Sequence, residues 1–322
     1  MTFQRILVPL DGSPLAEEAL PHALRLAQVF QTPLLLLQVL DVQPAVLEHC
    51  PDSPDWRLRR LQAQRYLETL VKRFGASGVT VECHLAEGRA AGQIVEFIRS
   101  HAVGLLVLSA YGWGGTSEFP FGGTVHKVLA TADVPYLLIR PDHASGSGGQ
   151  PYRRVLVPLD GSRGAEWAVN LAVSLVAGTP AEIVLLQVVR APEMPRHRPL
   201  TREESELSAK VVECNRREAT VYLADVEARV GDGNRVRSRL VVSPLLADTI
   251  GRIAEEEQAD LIVLTAHGAA GFNEQRLGPT CHAVLARSAR PVLVLQSIHA
   301  PLAWNRSRAV ANEIRAPHCA PH

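Results

Sequence analysis

Ile6-Leu-Val-Pro-Leu-Asp-Gly-Ser-Pro-Leu-Ala-Glu-Glu-Ala-Leu20 has a near-copy later in the chain, Val155-Leu-Val-Pro-Leu-Asp-Gly-Ser-Arg-Gly-Ala-Glu-Trp-Ala-Val169. The two segments lie 149 residues apart and are identical at ten of their fifteen positions. A repeating unit of about 150 residues is the usual size of a whole folding domain, whereas solenoids and propellers repeat every roughly 20–50 residues. The sequence therefore predicts two homologous domains in tandem, which we call copy one and copy two.

The repeat continues through the later part of each copy. Leu105-Leu-Val-Leu-Ser-Ala-Tyr-Gly112 matches Leu261-Ile-Val-Leu-Thr-Ala-His-Gly268, now at an offset of 156 residues. Copy two therefore contains seven extra residues, which must lie between Val188 and about Val236. Prolines and arginines near the start of that interval predict an irregular, solvated stretch there.

The repeat also sets the expected domain boundaries. We predict that copy one spans residues 1–142 and that copy two spans residues 152–298. Residues 143–151 between them are rich in Gly and Ser, which cannot build a core, and are expected to form a flexible linker. Residues 299–322 have several prolines and little periodicity, so we expect a tail that is packed on the surface or disordered.

Composition excludes two classes of partner. The chain has 33 basic and 33 acidic side chains, so no net charge attracts nucleic acid over a distance. Its apolar runs are much shorter than the roughly 18–20 residues that a bilayer crossing needs. The five cysteines form no Cys-x-x-Cys pair, which suits a reducing compartment. We therefore expect a cytoplasmic protein that binds neither nucleic acid nor membranes.

Apolar segments and helical segments alternate along each copy. In copy one, the apolar runs at 5–10, 34–40 and 105–109 lack the period-two alternation of half-exposed strands. Ser13 and Pro14 supply an N-cap and a first-turn proline for the helix that follows the first run. Buried strands that alternate with helices are typical of a parallel sheet covered on both faces. We predict that each copy is a doubly wound, five-stranded α/β sandwich.

Two residues of copy one stand where a parallel sheet binds ligands, just beyond the carboxyl ends of its strands. Asp11 follows the first strand, and Gly112 follows the strand that begins at Leu105. Gly112 also opens a glycine-rich loop, and the helix that begins near Thr124 would present N–H groups and a positive dipole end to phosphates. The glycines could instead serve backbone geometry alone, and Asp11 could cap the turn into the first helix.

With these landmarks occurring twice and in the same order, the chain resembles the universal stress protein family in its two-domain form. The resemblance covers both copies and leaves out only the ends and the junction between them. It implies two adenine-nucleotide α-hydrolase-like sandwiches in tandem. It further implies that the strands near 136–140 and 292–295, at the edges of their sheets, pair antiparallel and form a pseudo-twofold dimer within one chain.

The resemblance also carries a set of nucleotide-binding residues onto copy one. In nucleotide-binding members of the family, ATP is held by a Gly-x2-Gly-x9-Gly-Ser/Thr loop, with an Asp after strand one and a Val of strand two serving the adenosine half. Asp11 and Val39 would therefore flank the nucleoside. Nine residues separate Gly112 from Gly122, as the pattern requires.

Two positions of copy one depart from that pattern. Ser109 stands in place of the first Gly, and Gly123 in place of the final Ser/Thr, although Thr124 follows at once and could offer its hydroxyl. The set predicted to bind the nucleotide in copy one is Pro9, Asp11, Val39, Ser109, Gly112, Gly122, Gly123 and Thr124.

Copy two keeps less of the pattern. Its weaker predicted site consists of Asp160, Val188, Gly268 and Gly278. Pro279 stands where the family has Ser or Thr, so a hydroxyl and a backbone N–H are both lost. Losing two hydrogen-bond donors to a phosphate predicts binding on the order of tenfold to a hundredfold weaker than in a fully equipped site.

Three functions are compatible with these residues. The first is a stress-response regulatory protein that binds ATP or a related adenine nucleotide in copy one, with Mg2+ accompanying the nucleotide. The alternative is a protein-interaction or stress-protection module that binds no nucleotide. The third is a slow ATPase or autokinase, for which the sequence offers no matched general base and no paired carboxylates beyond Asp11.

His126 and His282, at equivalent helical positions, fit surface or packing roles better than the role of a general base. A homodimer and an unidentified protein partner are further expectations.

Overall fold

A computed structural model describes residues 3–41, 54–114, 120–141, 151–192, 198–231, 233, 235–268 and 277–296. The predicted linker lies outside these residues except at residue 151, and the predicted tail lies wholly outside them. Parts of the two glycine-rich loops, residues 115–119 and 269–276, are also outside.

The described residues of copy one form five strands, which alternate with helices as predicted. In chain order, its elements are β1 (Ile6–Leu10), α1 (Pro14–Glu17), α2 (Ala19–Phe30), β2 (Leu34–Leu40), α3 (Pro54–Gly75), β3 (Val81–Glu87), α4 (Ala90–Ser100), β4 (Leu105–Ser109), α5 (Gly123–Thr131) and β5 (Tyr136–Ile139).

Copy two repeats this plan among its described residues. Its elements are β6 (Arg154–Leu159), α6 (Arg163–Val176), β7 (Glu182–Val189), α7 (Arg202–Val230), β8 (Arg235–Val242), α8 (Leu246–Glu256), β9 (Leu261–Thr265), α9 (Pro279–Arg287) and β10 (Val292–Leu295). The helix α7 has 29 residues, whereas its counterpart α3 has 22. Most of the extra length of copy two is therefore helical and does not lie in an irregular stretch.

The two copies share one sheet of ten strands in the order β3-β2-β1-β4-β5-β10-β9-β6-β7-β8. Neighbouring strands within each copy are parallel, and β5 and β10 pair antiparallel at the centre, with Leu137 opposite Leu293. This confirms the predicted fold of two doubly wound sandwiches joined as a pseudo-twofold dimer within one chain.

Each face of the sheet carries a hydrophobic core that continues from one copy into the other. Successive side chains of β1 alternate between the faces: Ile6 and Val8 belong to the core under α2, α3, α6 and α7, and Leu7 belongs to the core under α4, α5, α8 and α9. The strands are apolar at successive positions because both faces are covered. No helix among the described residues combines the length and the apolar character needed to cross a membrane.

The first helix of each copy begins at the predicted cap. The Ser13 hydroxyl accepts a hydrogen bond from the Ala16 N–H at 3.1 Å, and Ser162 accepts one from the Ala165 N–H at 3.2 Å. Copy two continues in one helix, but copy one interrupts its helix at Glu18 and resumes as α2.

Two polar side chains of α2 lie buried against copy two. His22 Nδ1 and the Tyr152 hydroxyl share a hydrogen bond of 3.0 Å, and the Arg25 guanidinium lies 4.1 Å from the centre of the Tyr152 ring. His22 is 3% exposed and Arg25 is 8% exposed. Burial, aided by the neighbouring charge of Arg25, lowers the pKa of His22 to about 4.

This buried histidine should make the stability of the protein depend on pH. Between about pH 6.5 and pH 4 the unfolded chain protonates His22 but the folded chain does not, so the free energy of unfolding falls on acidification, by up to roughly 3 kcal/mol. The His22→Leu variant, which carries the residue found at the equivalent Leu171, should lose less stability than wild type over this range. Calorimetric melting temperatures at pH 7 and pH 5 measure the difference.

A histidine that is exposed in the fold provides the control. His126→Gln should leave the pH dependence as it is in wild type, because His126 lies exposed on α5. Equal acid sensitivity of His22→Leu and wild type would contradict the assignment to His22.

Candidate functional site

The carboxyl ends of β1 and β4, which are neighbours in the sheet, bring Asp11 and the glycine-rich loop together. One carboxylate oxygen of Asp11 accepts hydrogen bonds from the Ser13 N–H at 2.9 Å and from the Ser13 hydroxyl at 2.6 Å. The other accepts one from the Trp113 N–H at 2.8 Å, and the Trp113 indole N–H donates to the Asp11 carbonyl at 2.7 Å. Asp11 therefore caps the turn after β1 and also anchors the start of the loop.

Gly112 is required by the position of this carboxylate. A Cβ atom at residue 112 would lie 2.0 Å from Oδ2 of Asp11, far inside the van der Waals distance. Copy two repeats the arrangement, since a Cβ at residue 268 would lie 2.1 Å from Oδ2 of Asp160. The Asp160 carboxylate likewise accepts a hydrogen bond from the Ser162 N–H at 3.0 Å. The Asp–Gly pairs thus have a structural role in both copies.

Substituting Gly112 should therefore destabilise the fold even without any ligand. We expect Gly112→Ala to lower the free energy of unfolding by about 1–3 kcal/mol, because the new methyl group displaces Asp11 from its hydrogen bonds. Gly114→Ala is a matched control in the same loop, since a Cβ there meets no atom within 4 Å. Urea unfolding measures the free energy of unfolding of both variants. Equal values would contradict a steric conflict between residue 112 and Asp11.

The far end of the loop returns to the same edge of the sheet. The Gly122 N–H donates to the Ala110 carbonyl at 2.9 Å, and Gly122 then forms the N-cap of α5 without a side-chain cap. In copy two, the Gly278 N–H donates to the Ala266 carbonyl at 2.8 Å, and α9 begins with Pro279. The first-turn N–H groups of a helix have no partner within the helix, so α5 presents more such donors than α9.

Ser109, the first departure from the family pattern, turns its side chain back on the loop. Its hydroxyl donates to the Tyr111 carbonyl at 2.9 Å and is buried. Thr265 makes the same contact in copy two, donating to the His267 carbonyl at 2.9 Å. These hydroxyls shape the backbone just after β4 and β9.

A cavity of about 840 Å³ opens at this edge of copy one. It lies within the range of roughly 300–1,000 Å³ that is usual for small-molecule sites. Every residue predicted for copy one lines it: Pro9, Asp11, Val39, Ser109, Gly112, Gly122, Gly123 and Thr124.

Sequence reasoning missed other parts of the wall. One side is apolar and includes Leu37 and Ile94, and the loop adds the aromatic ring of Trp113. His282 of copy two also lines the cavity, with its ring 6.1 Å from that of Phe121 and nearly perpendicular to it. Trp113 could have been predicted as part of the wall, because it is a large aromatic residue directly after Gly112 in the loop. The sequence favoured surface or packing roles for His126 and His282, but both line the cavity, and the position of His282 there depends on how the copies pair.

The residues predicted for copy two do not gather in the same way among the described residues. Asp160 meets Gly268, and Gly278 contacts Ala266, but Val188 lines a separate hollow of about 430 Å³ beside Tyr222 of α7. Residues 269–276, which connect Gly268 to the helix, are outside the described part of the chain.

The copy-one cavity differs from a cationic phosphate site. The residues that line it include the acidic Asp11 and the imidazoles of His126 and His282, and neither Lys nor Arg is among the described lining residues. No group of three or more His, Cys, Asp or Glu side chains suited to a metal ion occurs in the described part of the chain. An anion in this cavity would therefore depend on backbone N–H groups and on the dipole of α5.

The fold and the residues at the carboxyl ends of the strands define the class of protein: tandem α/β sandwiches in which a glycine-rich loop leads from the fourth strand of each copy into a helix. The chain belongs to the universal stress protein family, whose model matches residues 2–140 and again residues 151–296.

Relatives agree with this assignment over both copies. A universal stress protein of Mycolicibacterium smegmatis is 24% identical over 303 residues, which cover 90% of this chain and 96% of the relative. A universal stress protein of Methanocaldococcus jannaschii is 28% identical over 142 residues, or 43% of this chain and 82% of the relative. The crystal structure of a universal stress protein from Archaeoglobus fulgidus has the same fold, with a TM-score of 0.66 at 20% identity over 91% of this chain and 96% of that one.

Proposed function

We propose that this protein is a cytoplasmic stress-response regulator that binds ATP or a related adenine nucleotide in copy one. The observation that carries the proposal is the 840 Å³ cavity, which is lined by all eight residues predicted for copy one, including the six that the family pattern selects. The pattern selects them from separate parts of the chain, so their meeting at one cavity is independent support.

The two ends of the cavity suit the two halves of a nucleotide. Val39, Leu37 and Ile94 form an apolar wall that would accept the flat face of adenine. Gly123 lies at the start of α5, and a Cβ there would meet nothing within 4 Å, so a phosphate can approach the backbone closely. Thr124 is exposed beside it and offers a hydroxyl.

Copy two would bind the same ligand more weakly. Pro279 replaces the first N–H donor of the helix, and the hollow that Val188 lines in copy two has about half the volume of the copy-one cavity, 430 Å³ against 840 Å³. Mg2+ would be held mainly through the phosphates of the nucleotide and by water, as is usual for this ion, because the described residues offer no cluster of ligating side chains.

A charge placed at the start of α5 tests the proposal. Gly123→Glu should fold, since Glu is favourable in the first turn of a helix, but its carboxylate should repel phosphates and weaken ATP binding by at least about tenfold. Isothermal titration of the full chain with ATP, ADP and AMP measures the affinity. The proposal fails if wild type binds none of the three nucleotides.

Gly92→Glu provides the matched control. Gly92 lies in the first turn of α4, a Cβ there would meet no atom within 4 Å, and the equivalent residue of copy two is Asp248. This variant makes the same charge change away from the phosphate end and should bind ATP as wild type does. Equal losses in both variants would point to a general charge effect and contradict a phosphate site at Gly123.

One observation favours a function without nucleotide. Both carboxylate oxygens of Asp11 already accept hydrogen bonds from the protein, and the Ser109 hydroxyl is used within the loop. A protein-interaction or stress-protection module would need these contacts for structure alone. In that case the Gly123→Glu variant would restore stress tolerance to a deletion strain as well as wild type does. If the protein is a nucleotide-dependent regulator, the variant would not restore it.

A further inference from the structure

Arg140, which directly follows β5, joins the loop of copy one to a helix of copy two. One terminal nitrogen of its guanidinium donates to the Tyr111 hydroxyl at 3.0 Å. The other, which carries two N–H donors shared among three acceptors, lies within hydrogen-bond distance of the carbonyls of Pro120 (2.9 Å), Leu285 (2.9 Å) and Ala286 (2.8 Å). The planar guanidinium suits such a set of acceptors better than an ammonium group, because its donors are fixed in one plane.

The two contacts in copy one fall at the two ends of the glycine-rich loop. Tyr111 immediately precedes Gly112, and Pro120 lies two residues before Gly122, the cap of α5. The charge also lies 5.8 Å from the Tyr111 ring and 5.7 Å from the Phe121 ring. One side chain therefore bridges the two ends of the loop.

The two contacts in copy two fall in the last turn of α9. The final carbonyls of a helix have no N–H partner within the helix and carry the negative end of its dipole, so a cation there is favourable. Arg140 is thus held in place by copy two while it holds the loop of copy one.

The equivalent residue in copy two cannot make these contacts. Gln296 occupies that position, and its buried Nε2 has no hydrogen-bond partner among the described residues. The two copies therefore differ at this point as well as at Pro279, and both differences favour copy one as the site that holds a ligand.

We propose that Arg140 is a positioning residue for the copy-one ligand site: held by copy two, it keeps Tyr111 and Pro120, at the two described ends of the glycine-rich loop, in the arrangement that binds phosphate. This inference rests on the proposed function for its ligand. Arg140 is not among the residues that line the cavity, so it acts through the loop and not by touching the nucleotide. Loop ends that are already held in place lose less conformational entropy when a phosphate binds.

The test compares two ligands that differ only in phosphates. Arg140→Gln, which carries the copy-two residue, should weaken ATP binding by about tenfold, equivalent to about 1.4 kcal/mol, and leave adenosine binding unchanged. Arg287→Gln is the control, because Arg287 ends the same helix in an exposed ion pair with Asp248 and should affect neither ligand. An equal loss for ATP and adenosine, or no loss for ATP, would overturn the inference.

Arg140→Lys separates geometry from charge and is the milder variant if Arg140→Gln folds poorly. Lysine keeps the positive charge but cannot bridge the same acceptors, so ATP binding should again be weakened while adenosine binding is not. Affinity equal to wild type in Arg140→Lys would show that charge alone matters and would contradict a positioning role.

Hydrogen–deuterium exchange tests the same contact without any ligand. In both Arg140 variants, the amide of Gly122 should exchange faster than in wild type, while peptides over residues 261–268 of copy two should not change. If wild type binds no nucleotide, the proposed function fails, and this measurement still decides whether Arg140 orders the loop. Unchanged exchange at Gly122 would refute the ordering role.

Discussion

The antiparallel pairing of β5 with β10 is the constraint on which the rest of the molecule depends. It turns two five-stranded sheets into one sheet and lets both hydrophobic cores continue from copy to copy. It also removes the exposed edge that each sheet would otherwise present at this position. The contacts of His22, Arg140 and His282 with the opposite copy exist only because this pairing sets the copies side by side.

The sequence was sufficient to predict most of the fold, because each strand is a short apolar run and the whole pattern occurs twice. The topology also placed Asp11 and Gly112 at the ligand-binding edge, since both follow the ends of parallel strands. The other predicted cavity residues came from the family resemblance, and part of the apolar wall was missed. The sequence did not predict that His22 and Arg25 would be buried. Helical periodicity identifies the apolar stripe of α2, but polar residues beside that stripe become buried only when a second domain covers them.

The Asp–Gly contacts explain how the two sites could diverge while the two folds stayed alike. Asp11 and Asp160 both occupy the space that a Cβ would need at the facing glycine, and both hold the turn after the first strand of their copy. Replacing either residue would cost stability whether or not a ligand binds. Positions such as Gly123 and Pro279 carry no such restraint, because the first turn of a helix accepts either residue.

The greater length of α7 has a geometric consequence for the chain that leads into it. Seven residues of α-helix rotate the chain by about 700°, only about 20° short of two full turns, and raise it by about 10 Å. The first residue of α7 therefore faces nearly the same direction as the first residue of α3 and lies about 10 Å farther along the helix axis. An insertion of five residues would have turned the entrance to the opposite side of the helix.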